Sequence, residues 1–447
     1  PRQVGRAKSA APNSPIPLFP DTTKSNSYVT KKCRPITESG KIKLYDMLYY
    51  QNWDFIDDKT TDVDTKLDLF LDVIINACNL SFPEITFKNK KDGHDVIWFT
   101  DELKKMREHL AFLNELHNLQ RTPDSLKRRN EYRRFYKESI VTAKKRINDK
   151  LIEKSSNKAK SMWNIINTGR KNKKSSQSVP FSAEEANDYF TNIAKNVLKN
   201  THMNSPLNVH NMNMTTNSTS VPQFRYTKVG FNEVRDHLTS LKNTTSTDIY
   251  GIRVTILKTI KHLINVPLTK LINSSFEECK FPNKLKEGLV IPIHKGGQFV
   301  ELSNYKPISL LPAISKIFER CMASQIQIHF EKNNLFTSSQ HGFRKNRNTT
   351  GAILNLITEI LTIFHKNEYM YAVFCDLSKA FDCMSHNLLI DKLKLYNFAP
   401  SSIELIDSYL SNRYQSTRVN NVLSTKRKIN TGVPQGSILG PLLFIIY

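Results

Sequence analysis

The chain has 447 residues, of which 39% are hydrophobic, 10% aromatic and 24% charged. That is length for about three domains at ~150 residues each, and the composition excludes a wholly disordered, collagen-like or membrane-embedded chain. Lys and Arg number 65 against 41 Asp and Glu, a formal net charge of +24, which points to a polyanionic partner, with nucleic acid first. The six cysteines, Cys33, Cys78, Cys279, Cys321, Cys375 and Cys383, contain no C-x-x-C pair, so neither a zinc knuckle nor a disulfide framework is signalled and reduced intracellular thiols are expected. No apolar stretch approaches the ~18 residues of a membrane span, and the start has no apolar core like that of a signal peptide. The absence of an initiator Met, and an end in the middle of the run Leu442 to Tyr447, read as the cut ends of a longer protein.

In chain order, residues 1–40 are rich in Pro, Ser, Thr and Lys and read as a linker or tail. Residues 41–200 read as a mainly helical, basic inter-domain region. It opens with a short helical subdomain, in which Leu67, Phe70, Leu71, Ile74 and Ile75 recur at helical spacing before the breaker Pro83. Within this region residues 102–180 hold 21 Lys/Arg and 8 Asp/Glu, over half of the chain's excess charge. There Tyr132, Tyr136, Ile140, Ala143, Ile147 and Leu151 build one apolar helix stripe, while Arg133, Arg134, Lys137, Lys144 and Lys145 fall largely off it. Those cations read either as the solvated face of a packed helix or as a surface that tracks nucleic-acid phosphates. Residues 201–220 hold twelve Asn, Ser or Thr and no charged residue, so 201–225 is expected to be a polar linker and the main domain boundary. From 226 to 447 helical patterns alternate with short β-type runs such as Leu289–Ile293 and Met370–Cys375, the mark of an α+β domain.

Two segments carry the chemistry. In Tyr371 to Asp382 an apolar run ends directly in Asp376, which puts a carboxylate at a strand's end. There it either caps the next helix or helps hold a hard cation such as Mg²⁺ together with substrate phosphates. In Thr431 to Pro441 three glycines, Gly432, Gly436 and Gly440, permit close backbone approach to something flat or charged, or simply make a tight loop ahead of a buried helix.

Together these segments resemble reverse transcriptases, closely those of jockey-like non-LTR (LINE-type) retrotransposons. Asp376 to Asp382 is similar to that family's motif A and Gly432 to Pro441 to its motif B. Val290 to Lys295, Asn304 to Leu311 and Gln340 to Arg344 resemble its fingers motifs, in order. The resemblance implies reverse transcriptase fingers and a partial palm, preceded by the basic helical region. It implies RNA-templated DNA synthesis from dNTPs, with an RNA template and a DNA primer or target DNA as partners, two Mg²⁺ ions as cofactors, no membrane, and action in the nucleus after a cytoplasmic ribonucleoprotein stage. By the same resemblance Asp376 is the catalytic metal-binding carboxylate and the Leu377 carbonyl a second ligand. Lys295, Lys306, Phe381 (the steric gate), Gln435 and Gly436 line the nucleotide, and Arg344 contacts nucleic acid. Lys306 stands where the family usually has Arg, which loses bidentate phosphate geometry. Motif C, the hairpin with the remaining carboxylates, is not found, so the chain as given is expected to be inactive. The alternative is a nucleic-acid-binding remnant or domesticated protein without catalysis.

Overall fold

The computed structural model describes residues 28–90, 99–155, 157–169, 179–200, 221–244 and 246–447. In chain order the elements are β1 (Tyr28–Cys33), α1 (Glu38–Tyr49), α2 (Val63–Ser81), β2 (Ile85–Lys90), α3 (Asp101–Gln120), α4 (Pro123–Glu153) and α5 (Lys158–Gly169). Then follow α6 (Ala183–Thr191), α7 (Ile193–Asn200), α8 (Phe231–Ser240), α9 (Val254–Thr259), α10 (Lys261–Glu277), β3 (Glu287–His294), β4 (Tyr305–Leu310) and α11 (Ser315–Lys332). The last are α12 (Thr349–His365), α13 (His386–Leu395), α14 (Pro400–Leu410), β5 (Arg413–Val419), β6 (Val422–Leu423), β7 (Arg427–Ile429) and α15 (Leu439–Ile446). The mixture is α+β, and no helix among the described residues is long and apolar enough to cross a membrane.

The chain divides into two compact units. The first, residues 1–34 and 84–176, contains the antiparallel pair β1–β2 and a hairpin of α3 and α4. The turn between these helices follows from its residues. Arg121 closes α3 with φ 49°, Pro123 starts α4, and the Thr122 hydroxyl accepts the Ser125 N–H. The ring of His109 meets that of Tyr132 at 4.6 Å, and the stripe Tyr132, Tyr136, Ile140, Ala143 and Ile147 is half-buried as its spacing predicts, while Leu151 is exposed. Of α3 and α4 only Leu103, Leu110 and Ser125 are buried.

The second unit, residues 35–83 and 177–447, holds one sheet in the order β4-β3-β5-β6 with β7 also on β5. β3 is antiparallel to β4 and parallel to β5. Leu67, Phe70, Leu71 and Ile74 of α2 are fully buried and share one core with Ile264, Leu268, Leu271 and Ile272 of α10. A charge seam lies alongside: Lys280 meets Asp62 at 2.8 Å and Asp64 at 2.7 Å, and Lys284 reaches Asp68 and Asp72. Partly exposed pairs of this kind contribute ~0–1 kcal/mol each, so the apolar contact is what holds α2.

Several boundaries differ from the sequence reading. The region 41–200 is not one domain: α1 and α2 belong to the second unit, and so does α6, whose fully buried Asn187 accepts hydrogen bonds from Gln415 and Thr417 of β5. The expected tail 1–40 includes β1 and the start of α1, residues 1–27 lying outside the described residues. The expected linker 201–225 falls outside them over 201–220, but its end is built into the fold, with Phe224 buried and hydrogen-bonded to Asn397 and Ala399. The apolar run Met370–Cys375 is not a strand. Apolar side chains occupy both alternating faces of the run, and among the described residues no strand pairs with it, so Tyr371, Val373 and Phe374 remain exposed; an extended segment needs ladder partners to persist as sheet.

If α2 is integral to the second unit, Phe70→Ala lowers that unit's stability by about 3–5 kcal/mol, the usual loss for a buried Phe. The check is the urea midpoint followed by tryptophan fluorescence, since Trp53 packs on Phe70 at 5.2 Å.

Candidate active site

The site is built where the turn 378–386 meets the loop 431–438. Lys379 adopts φ 54° and its carbonyl accepts the N–H groups of Asp382 and Cys383, which closes the turn. Two backbone bonds then lace turn to loop: Val433 N–H to Phe381 O at 2.9 Å and Gly432 N–H to Met384 O at 2.8 Å. The side chains repeat the tie, since Gln435 Nε2 donates to Asp382 Oδ2 at 2.7 Å and His386 Nε2 lies 2.7 Å from Gly432 O. The loop also reaches the sheet, where Ser309 of β4 donates its N–H to Gln435 O at 2.9 Å. Glycine is required twice. A Cβ on Gly432 would lie 2.5 Å from Phe381 O, and one on Gly436, at φ 133°, would lie 2.5 Å from Ser309 O.

Behind the loop, Glu319 of α11 is fully buried. Its Oε2 accepts the N–H groups of Ile438 (2.6 Å) and Leu439 (3.1 Å) at the start of α15, and Ser315 donates to Oε1. The sequence reading did not single out Glu319. Its signal was a carboxyl among apolar neighbours, between Phe318 and Cys321 of a helix stripe.

The structure brings together Lys295, Lys306, Gln435 and Asp382, and adds Lys379, which the sequence reading also passed over. Lys295 and Lys306 are exposed on the β3–β4 hairpin, where Lys306 pairs in register with Ile293 and Lys295 donates its N–H to Asn304 O. Burial pushes Lys379 below the ordinary lysine value, and the charge of Lys295 adds to that. Burial pushes Asp382 up, opposed by the Gln435 hydrogen bond and the charges of Lys379 and Lys306. These groups share one electrostatic field. The cavity beside them, lined by Pro307, Ser309, Asp382, Gln415 and Gln435, measures about 40 Å³, room for about one water. Phe381 is half-buried, with its ring 4.9 Å from Phe444 and 5.8 Å from Phe343, so it has a packing role as well as its place beside Asp382.

Asp376 and Leu377 are not drawn into this cluster and stand exposed at the end of the unpaired run. A Mg²⁺ ion takes six oxygens, commonly one or two carboxylates with phosphate and water making up the rest. The Asp376 carboxylate and the Leu377 carbonyl fit part of such a set. Asp382, the nearest acidic residue in sequence, is engaged by Gln435, and Asp376 belongs to no metal-ligand cluster of three side chains among the described residues. Arg344, expected at nucleic acid, is instead occupied internally. It forms a two-toothed ion pair with Glu331 (3.1 and 2.6 Å), donates to Thr337 O and lies over Phe336, which pins the loop after α11. Arg133, Arg134, Lys137, Lys144 and Lys145 are exposed along α4 of the other unit, and Arg134 comes within 3.6 Å of Glu138.

Residues 293–447 match the protein-family model of the reverse transcriptase (RNA-dependent DNA polymerase). The chain is 36% identical over 192 residues to the probable RNA-directed DNA polymerase from transposon X-element of Drosophila melanogaster, covering 43% of this chain and 21% of that protein. It is 31% identical over 181 residues to the RNA-directed DNA polymerase from mobile element jockey of the same fly, covering 40% and 20%. It is also 31% identical over 189 residues to the putative COX1/OXI3 intron 1 protein of Saccharomyces cerevisiae, covering 42% and 20%. The chain thus spans about a fifth of the length of the curated relatives it matches. The likeness to jockey-type reverse transcriptases read from the five motifs is borne out.

Gly436→Ala tests the lacing. The added Cβ meets a backbone oxygen and the φ is unfavourable for any L side chain, so a loss of about 1–3 kcal/mol is expected. Gly342→Ala, whose nearest neighbour is the end of the Gln340 side chain at 3.4 Å, should stay within about 0.5 kcal/mol of the parent. Urea midpoints of the two variants decide.

Proposed function

We propose that this chain is part of an RNA-directed DNA polymerase of a non-LTR retrotransposon, and that it uses an RNA template, a DNA primer or target DNA, and dNTPs. The observation that carries the reading is the group of Lys295, Lys306 and Lys379, whose charges act on one another and on the Asp382 carboxylate that Gln435 holds, within the segment that matches the family. The lysines attract the triphosphate. The lacing of turn to loop fixes Gln435 and Gly436 beside the incoming nucleotide, and the Phe381 ring occupies the space a 2′ hydroxyl would need. Two Mg²⁺ ions, when bound, activate the primer 3′ hydroxyl and stabilise the departing pyrophosphate; Asp376 and the Leu377 carbonyl are the groups of this chain that would hold them. Because that donor set is partial among the described residues, the 447-residue chain binds nucleotide but does not extend a primer. Residues 102–180 hold element RNA or target DNA through backbone phosphates, in the nucleus after a cytoplasmic ribonucleoprotein stage.

A second reading, a nucleic-acid-binding remnant without nucleotide recognition, is favoured by the exposure of Asp376 and by the separate basic hairpin. Ultraviolet cross-linking of a labelled dNTP to the full chain with Mg²⁺ separates the two. A cross-link lost in Lys306→Ala and weakened in Lys295→Ala supports the polymerase reading, and no cross-link sinks it. A parallel assay on a primed RNA template is expected to show no extension above an Asp376→Ala control.

The basic hairpin makes its own prediction. If it neutralises about five phosphates, log affinity falls linearly with log salt with a slope of roughly −3.5 on single strands or −4.5 on duplex. Titrating fluorescent RNA and DNA at several salt concentrations checks this, and a slope near zero, or binding confined to one sequence, would reject it.

A further inference from the structure

We infer that Glu233, His237 and Cys321 form a zinc site that fastens α8 to α11. Glu233 and His237 lie one turn apart on one face of α8, the i, i+4 spacing that lets two side chains share a metal. Cys321 comes from α11, 84 residues further along. One ligand atom from each of the three lies within 4.8 Å of the other two. Tetrahedral zinc with its usual bonds to sulfur and nitrogen, ~2.3 and ~2.0 Å, would bring the ligand atoms to roughly 3.3–3.6 Å of one another, so closure needs movements of about an ångström, within the reach of side-chain rotation.

Independent observations point to a ligand here. Cys321 is fully buried, and its neighbour His237 Nε2 is buried without any hydrogen-bond partner while standing 3.6 Å from Glu233 Oε1. A buried ring nitrogen left unpaired costs about 1–3 kcal/mol, and a metal ion would satisfy it. The outer shell is also present: Ser324, one turn beyond Cys321, donates to Glu233 Oε1 at 3.2 Å and orients the carboxylate. Arg320, beside Cys321 on α11, donates to the His237 carbonyl and to Ser240.

A thiolate, an imidazole and a carboxylate with water in the fourth place suit zinc over magnesium or calcium. Binding releases the Cys321 thiol proton to solvent, so that two anionic ligands balance the dication. The site has none of the C-x-x-C spacing by which zinc is usually read, and the packing of α8 on α11 assembles it. Cys321 lies two residues from Glu319, so the ion would stiffen the helix that holds the start of α15.

The test uses the full chain, stripped of metal and kept reduced, with Co²⁺ as the spectroscopic probe and Zn²⁺ as competitor. One equivalent of Co²⁺ should give the near-ultraviolet thiolate-to-cobalt charge-transfer band and the visible bands of tetrahedral cobalt, and Zn²⁺ should erase both. The charge-transfer band should vanish in Cys321→Ser and persist in Cys279→Ser. Should Cys321→Ser fail to fold, Glu233→Gln and His237→Gln on the more open side of α8 carry the test, each weakening Co²⁺ binding by at least about a hundredfold. The inference is overturned by the absence of a charge-transfer band at saturating Co²⁺, by its survival in Cys321→Ser, or by unchanged affinity in both α8 variants.

Discussion

The arrangement around the candidate active site depends on one buried group, the Glu319 carboxyl. A carboxyl removed from water is costly unless its oxygens are satisfied, and here the partners are the first N–H groups of α15 and the Ser315 hydroxyl. Those N–H groups have no partner within their own helix, and the positive end of the helix dipole favours an acidic oxygen there. The pairing therefore satisfies two otherwise unpaired sets at once and fixes where α15 begins. Residues 431–438 then have little freedom, because their far end is laced to 381–386 and their middle to Ser309. Turn, loop and sheet edge are thus positioned by α11, and this is why Gln435 and Asp382 meet while lying 53 residues apart.

What was legible in the sequence follows from what is local. The apolar stripe of α4 was readable because helical spacing alone defines it, and Gly432 and Gly436 were readable because a backbone approaching within 2.5 Å of a would-be Cβ leaves no other residue type. The β3 run was readable from its apolar character. Membership of α1 and α2 in the second unit was not, since it rests on Phe70 and Ile74 meeting α10 about 200 residues later. Arg344 shows the same limit. Its place in a family-like motif suggested a nucleic-acid contact, whereas the decisive fact is Glu331 on the preceding helix, which no motif names.

The excess of positive charge is used in two physically different ways. Along α4 the cations are exposed and repeated, so their attraction is long-ranged, additive and screened by salt over about 8–10 Å. Lys295, Lys306 and Lys379 act at close quarters, with Lys379 partly withdrawn from water beside Asp382. Charges at such short range, partly withdrawn from water, are screened less by salt than those along α4. The two surfaces belong to different units.

Positioning and charge do not by themselves make catalysis. Reacting groups must be held to within about 0.5 Å of their working geometry, which requires restraint; Gln435 and Asp382 are restrained by their mutual hydrogen bond and Gly436 by its close approach to Ser309. Asp376 has no comparable restraint. Its run is exposed on both faces, and the preceding α12 has no buried residue, with Ile353, Leu354, Ile357, Leu361 and Phe364 all open to solvent. Gln435 and Asp376 thus stand on parts of the fold with different degrees of support, the first on a laced and capped framework and the second on an exposed segment that no strand among the described residues pairs with.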